Sequence, residues 1–446
     1  MITRVYCLIC CLLNFVSEAN GAEKTNIVFL LADDLGYGDL ACYGAPDVRT
    51  PHLDGLAKRG TRFTQHYSNG PECSPTRTAL LTGRYQQRAG GLECAIGTGN
   101  VGRYDDAIRL AQQHELGLPV TQAVLPREIK KVGYQTAIFG KWHLGYEPKF
   151  NPLEYGFDSF FGCLGGNVEY FTHVELSDLP VLYRDRQPVE RPGYMTHLLA
   201  DDAVQFLREN RSKPFFLYVP LTAPHFPFQG PDDHQMKFTA ENWTRGTRAT
   251  YVKMVDDMDQ QIGRILDTLS MLHLTENTLV IFASDNGAMA PGRNLPMSNQ
   301  KGTLYEGGIR VPLIISWPGK IPENDVSRQT CMTMDLTRSL LNFAGAGDDL
   351  PLDGIDIIAH IQGNKPDRER TLFWRSRRGN RTERAIRFGD IKYLHRALDD
   401  GTIEEKLFDL AADPSETRDL LSMKPALATT CRDLLAAWEN EVRPSR

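Results

Sequence analysis

Four stretches of the chain are apolar without alternation and stop abruptly at polar residues. Asn26-Ile-Val-Phe-Leu-Leu-Ala32 runs into Asp33-Asp34, and Gln135-Thr-Ala-Ile-Phe139 into Gly140-Lys141-Trp142-His143. Phe215-Phe-Leu-Tyr-Val219 leads to Pro220 and then Ala223-Pro224-His225; Thr278-Leu-Val-Ile-Phe-Ala283 leads to Ser284-Asp285-Asn286-Gly287. Val311-Pro-Leu-Ile-Ile-Ser316 reads as a fifth strand. Runs without alternation are buried on both faces, which points to a parallel sheet covered by helices.

Helical patterns lie between these runs. Thr50 is placed to cap a helix with Pro51 at its first position and Gly60 beyond its end. Residues 196–210 put Leu198, Leu199, Ala203, Phe206 and Leu207 on one face, and 251–272 repeat Val255, Met258, Ile262, Ile265 and Leu269 at helical spacing. Alternating strands and helices predict an α/β, doubly wound, mostly parallel core, with its ligand site at the carboxyl ends of the strands. After about residue 360 the pattern changes. Gly389-Asp390 is a hairpin signal between two strand-like stretches, and 418–438 reads as a terminal amphipathic helix. The expected division is 1–21 signal peptide, 22–360 catalytic domain and 361–446 a small α+β subdomain of antiparallel sheet plus helix.

Residues 1–21 have the layout of a secretory signal: Arg4, the apolar stretch Val5–Val16, then Ala19-Asn20-Gly21. Cleavage is expected near Gly21/Ala22, with export to a periplasmic, extracellular or lysosomal compartment according to the host. The apolar stretch is shorter than the roughly 20 residues a bilayer needs, and no other stretch qualifies, so no stable membrane insertion of the mature chain is expected. Cys42, Cys73, Cys94, Cys163, Cys331 and Cys431 remain after cleavage. Pairing among them is allowed in such a compartment, and its pattern is open. A net charge of −6 in 446 residues argues against nucleic acid as a partner.

The polar strand ends supply the chemistry. Asp33, Asp34, Asp285 and Asn286 are hard oxygen donors, a set that suits Ca²⁺ or Mg²⁺ rather than Zn²⁺. Singly, each is as well explained as a turn or cap residue. Cys73 precedes Ser74-Pro75-Thr76-Arg77 and Thr78–Thr82, closed by Gly83. With Ser74 as N-cap and Pro75 at the first helical position, Cys73 lies at a helix mouth that favours an anion, and Arg77 follows one turn in.

Cys73-x-Pro75-x-Arg77 followed by Thr82-Gly83 resembles the signature of the type I, formylglycine-dependent sulfatases. The resemblance extends to Asp33-Asp34, Gly140 to Gly145, His225, Ser284 to Gly287, Lys301-Gly302, Glu306-Gly307-Gly308 and Leu407 to Pro414. It is nearest in texture to the arylsulfatase A and N-acetylgalactosamine-6-sulfatase branches. It implies an alkaline-phosphatase-like fold and a sulfuric ester hydrolase acting on a sulfated carbohydrate. It also implies a maturation enzyme that converts Cys73 to Cα-formylglycine. Asp33, Asp34, Asp285, Asn286 and residue 73 would hold one divalent cation, Ca²⁺ with Mg²⁺ as the alternative. Cys73 as the formylglycine hydrate would be the nucleophile and Arg77 would stabilise it. Lys141 and Lys301 would bind sulfate oxygens, His225 would protonate the leaving alcohol, and His143 would help expel sulfate.

Two other functions fit the same residues: a phosphonate or phosphate mono- or diesterase of the same superfamily, and a non-catalytic carbohydrate-binding homologue. Substrate selection is expected from loops around 91–122, 162–194 and 226–248. Tyr170, His173, Trp243, Arg293, Arg375, Arg377, Arg378 and Arg381 are candidates for a rim that holds an anionic sugar.

Overall fold

The strand Asn26–Ala32 (β1) is buried along its whole length and sits in the middle of the molecule. In the computed structural model, which describes residues 24–442 apart from 91, 98–104, 178–179 and 364, it is part of a ten-stranded sheet. The signal-peptide expectation for 1–21 lies outside the described residues. The other strands are Thr61–Phe63 (β2), Gln135–Lys141 (β3), Ser159–Cys163 (β4), Leu182–Arg184 (β5), Gln187–Pro188 (β6), Phe215–Pro220 (β7), Thr278–Ser284 (β8), Leu313–Ser316 (β9) and Asp325–Ser327 (β10). Their spatial order is β10-β2-β9-β8-β1-β7-β3-β4-β5-β6. The central five, β8-β1-β7-β3-β4, are parallel, as the unbroken apolar runs predict.

Register brings the strand ends to one level. Ala32 lies beside Ser284, and Leu31 beside Pro220. The residues that follow β1, β7 and β8 therefore leave the sheet together, at the edge where open α/β sheets bind ligands.

The fifth expected strand differs. β9 starts at Leu313 and runs antiparallel to both β8 and β2. Pro312 has no N–H to give a ladder, and its carbonyl only accepts from Ser284 N (3.4 Å).

Alternate side chains of β1 feed two cores. Val28, Leu30 and Ala32 pack with the helices Met195–Asn210 and Arg248–Met271, and Ile27, Phe29 and Leu31 with Cys73–Thr82 and Thr333–Ala344. Both long helices lie within three residues of expectation at each end. The helix Pro51–Lys58 forms as expected, but Thr50 does not cap it. Asp259 does: its carboxylate accepts from Leu53 N (2.8 Å) and His52 N (3.1 Å). The Thr50 hydroxyl instead bridges Ala41 N and Asp54.

Beyond residue 370 a separate four-stranded antiparallel sheet follows: Thr371–Arg378 (β11), Arg381–Phe388 (β12), Ile391–Ala397 (β13) and Ile403–Asp409 (β14). Gly389 makes the expected turn at φ +59°. The last helix is Pro425–Glu441, not 418–438. Asp413 accepts from Thr417 N and Arg418 N (2.7 Å each), which holds that stretch in a turn, and Pro425 starts the helix instead. Trp374, Tyr393, Leu407 and Trp438 share a core with Ala79 of the Cys73 helix and with Leu304 and Tyr305. Cys42, Cys73, Cys163, Cys331 and Cys431 form no disulfide with one another. No helix among the described residues is long and apolar enough to cross a membrane.

Candidate active site

The helix bearing Cys73 starts at Cys73 itself, with Glu72 as its extended N-cap residue, so Ser74 is not the cap and Pro75 is not the first helical position. Pro75 is tolerated third because N–H groups of the first turn have no intrahelical partner. The Ser74 hydroxyl donates to His143 O (2.9 Å). Gly83 closes the helix at φ +65°, as its place after Thr82 predicts.

Around the Cys73 thiol the strand ends assemble a dense charge cluster. Sγ lies 3.4 Å from Asp33 Oδ1, 3.3 Å from Lys141 Nζ and 3.6 Å from Lys301 Nζ. Lys141 Nζ donates to both Asp33 oxygens (2.9 and 2.7 Å), and Lys301 Nζ to Asp34 Oδ2 (2.7 Å). Arg77 clamps Asp285 through Nε (3.0 Å) and Nη2 (2.8 Å), and its Nη1 donates to Lys141 O (2.8 Å). Asp285 Oδ1 accepts from Asp34 N (3.1 Å), and Asn286 Nδ2 donates to Asp34 Oδ1 (2.6 Å). All ten expected site residues therefore meet in one place or line the cavity above it. Asp34 and His143 hold left-handed backbone at φ +61° and +58°, a strain that clusters at functional sites.

Three buried carboxylates face the buried Arg77 and Lys141 and the partly exposed Lys301. Burial, with Asp285 and Asp34 beside it, pushes Asp33 up to about 7 against the pull of Lys141 and Arg77. Burial also acts to raise Asp285, but Arg77, Lys141 and Lys301 overcome it and hold that carboxyl below the usual range. Burial drives the Cys73 thiol well above its ordinary value despite both lysines, so an unmodified thiol here stays protonated.

The two histidines are oriented through backbone carbonyls. His143 Nε2 faces Ile96 O (2.6 Å), and a carbonyl only accepts, so Nε2 carries the proton. Its Nδ1 is then a lone pair, and it is buried with no partner. The ring fits only because residue 166 is glycine; a Cβ there would lie 2.5 Å from Nε2. His225 Nδ1 likewise donates to Phe226 O (2.7 Å), which leaves Nε2 to accept from Lys301 Nζ (3.1 Å). Burial and the nearby lysines depress both imidazoles well below the usual value, so both are neutral at pH 7.

A cation fits this donor set. Asp33, Asp34, Cys73 and His225 offer ligand atoms within 4.8 Å of one another. Asn286 Oδ1 is fully buried and without a hydrogen-bond partner, as a ligand oxygen would be. The oxygens of all three carboxylates are taken, those of Asp33 by Lys141, those of Asp34 by Asn286 and Lys301, and those of Asp285 by Asp34 N and Arg77.

Above the cluster opens a cavity of about 690 Å³, lined by Cys73, His143, His225 and Lys301 together with Glu72, Ile96, Tyr146, Asn167, Glu175, Phe226, Trp243 and Arg378. Of the expected rim, Trp243 and Arg378 line it. Tyr170 is buried beneath, where its hydroxyl donates to Thr222 O (2.8 Å) and His225 O (2.9 Å) and so shapes the His225 loop. His173 is buried against Gly193 O. Arg293 pairs with Asp47, Arg375 with Glu93 and Glu439, and Arg377 with Glu93; none of the three lines the cavity. Arg381 turns to Gly302 O (3.2 Å).

The sulfatase family profile matches residues 25–346. The chain belongs to the sulfatase family. A second profile, the C-terminal region of N-sulphoglucosamine sulphohydrolase, matches residues 299–440. This sulfatase is 37% identical over 399 residues to the N-acetylgalactosamine-6-sulfatase of Rattus norvegicus, covering 84% of this chain and 72% of that one. The Homo sapiens counterpart is 36% identical over 375 residues, covering 78% and 68%. Among solved structures, that of Ps i-CgsB superposes with a TM-score of 0.81 at 29% identity, covering 95% of this chain and 94% of the other. A complex of Ps i-CgsB with k-i-k-neocarrahexaose is also solved. The sulfatase is thus an enzyme of sulfate ester hydrolysis built on the alkaline-phosphatase-like fold that the resemblance implied.

Proposed function

We propose that the enzyme removes sulfate from a sulfated carbohydrate, with Cys73 converted to formylglycine by a maturation enzyme and one divalent cation, Ca²⁺ or Mg²⁺, at the strand ends. The observation that carries this is the setting of residue 73. It lies at a helix N-terminus between the buried Lys141 ammonium and the partly exposed Lys301 ammonium, against Asp33, at the floor of a cavity. A relative named N-acetylgalactosamine-6-sulfatase and a similar structure solved with k-i-k-neocarrahexaose support a carbohydrate as the sulfate ester.

Asp33, Asp34, Asp285, Asn286 and residue 73 would hold the cation, which supplies charge to stabilise a nucleophilic oxygen and a sulfate oxygen. The protein's own residues do the rest. Lys141 and Lys301 flank residue 73 and offset repulsion between the anionic sulfate and the nucleophile. Arg77 fixes Asp285 and the Lys141 carbonyl, which keeps both in register. The leaving oxygen gathers charge and needs a proton. His225 Nε2 accepts from Lys301, so the pair Lys301–His225 is the proton source rather than the imidazole alone. His143 offers the buried lone pair on Nδ1 as the proton acceptor when sulfate is released.

Rates on 4-nitrophenyl sulfate, 4-nitrophenyl phosphate and a phosphate diester test the reaction class. The sulfate should be strongly preferred, and a large preference for the diester would sink the proposal. A screen of sulfated glycosaminoglycan and algal oligosaccharides then identifies the sugar.

A further inference from the structure

Glu72 is almost fully buried, and nothing in the sulfate chemistry above uses it. Its Oε2 accepts from Ala95 N (2.7 Å), and its Oε1 from Arg378 Nη1 (2.9 Å) at the tip of the β11–β12 hairpin. The next residue along the chain, Ile96, is held twice more. Its N–H donates to Ser74 Oγ (3.2 Å), and its carbonyl accepts from His143 Nε2 (2.6 Å). Ser74 Oγ in turn donates to His143 O (2.9 Å). The residues on either side of Cys73 therefore both grip the 95–96 backbone, and that backbone decides which imidazole nitrogen of His143 carries the proton.

We propose that Glu72 is a positioning residue: its carboxylate locks the Ala95–Ile96 backbone so that the Ile96 carbonyl keeps His143 in the Nε2–H form, with Nδ1 free as a base. A charge-assisted bond to a backbone N–H is about twice as strong as a neutral one, which suits a strut that must hold against motion. Arg378 orients the carboxylate from the second sheet, which thus meets the residue before Cys73 as well as packing on Ala79 further along the same helix. The functional weight of the inference rests on the proposed role of His143, whereas the geometry does not.

The test therefore has an arm that needs no turnover. In the full chain with Cys73 unmodified, hydrogen exchange of the peptide holding Ala95 and Ile96 and the ¹⁵N shifts of the His143 ring are compared between wild type and Glu72→Met. The variant should exchange about tenfold or more faster there, and its His143 should become a mixture of tautomers. Glu72→Gln keeps one carbonyl oxygen for Ala95 N–H but loses the charge and the second acceptor that Arg378 uses, so it should fall between wild type and Glu72→Met in both readouts. If Glu72→Met does not fold, Glu72→Asp, one methylene too short to reach both partners, takes its place with the same expectation. Unchanged exchange and a single tautomer overturn the proposal.

In matured enzyme, normalised to aldehyde content, Glu72→Met should lower kcat on 4-nitrophenyl sulfate about tenfold or more with little change in KM. A raised KM with unchanged kcat would make Glu72 and Arg378 a substrate contact instead and would also overturn it. Wild-type enzyme without sulfatase turnover would sink the proposed function while leaving the exchange and tautomer results standing.

Discussion

Two clusters of charge each take a residue from the 301–309 segment, Lys301 in one and Glu306 in the other, and they are built to different ends. At the strand ends, Asp33, Asp34 and Asp285 face Arg77, Lys141 and Lys301, yet Asn286 Oδ1 and His143 Nδ1 are left without partners under an open cavity. Against the second sheet, Lys392 lies 2.9 Å from both Glu306 Oε1 and Glu416 Oε1, and Glu306 Oε2 takes the Tyr67 hydroxyl (2.7 Å) and Arg310 (3.3 Å). None of these residues lines the cavity above residue 73. Both clusters shift pKa values strongly; Glu306, for example, is held down to about 2 because Lys392, Arg310 and Arg387 outweigh its burial. Buried charge alone thus marks neither catalysis nor structure. What separates the two is the unsatisfied atom beside a space for a ligand.

The contrast breaks if the wrong cluster carries activity. Cys73→Ala should cut turnover of 4-nitrophenyl sulfate on the order of a thousandfold or more and leave folding intact. A variant with near wild-type rates would remove residue 73 from the chemistry. Lys392→Met should do the reverse. It strands two buried carboxylates and should cost about 3–5 kcal/mol in denaturant unfolding, with turnover per folded molecule little changed.

Stripping divalent ions with a chelator sharpens the comparison within the first cluster. Activity should fall, and the melting temperature should drop by a few degrees and recover on adding Ca²⁺ or Mg²⁺. A melting temperature indifferent to the ion would leave the orphan Asn286 oxygen unexplained. The smallest effect is expected at Asp259, a buried carboxylate outside both clusters. Burial raises it to about 6, despite its bonds to Leu53 N and His52 N. A carboxyl raised on folding favours the folded state below its unfolded value near 3.8 and loses that contribution as pH rises through about 6. The stability of wild type relative to Asp259→Asn should therefore fall between pH 4 and 6 and level off above. A constant difference across that window would contradict the assignment.

The central strands and the charged site were legible because both are local in sequence. Unbroken apolar runs gave the parallel strands, and the residues ending those runs are the ones register brings together. Partnerships across long sequence distances were not legible. Arg375 looked like a rim cation until Glu93 and Glu439 neutralised it, and Asp259 displaced Thr50 as a cap from some 200 residues away. Tyr170 read as a rim residue and proved to be a buried support for the His225 loop. Glu72 carried one unused signal, a carboxylate immediately before a helix whose first residue is Cys73, where the helix dipole favours negative charge.

The central claim is that residue 73 of the active enzyme is no longer a cysteine. Peptide mass spectrometry of active protein, with aldehyde labelling by a hydrazide and thiol labelling by iodoacetamide, tests it most directly. The account predicts an aldehyde at residue 73, in an amount that tracks specific activity. Full sulfatase turnover from protein whose residue 73 is entirely an alkylatable thiol would contradict it.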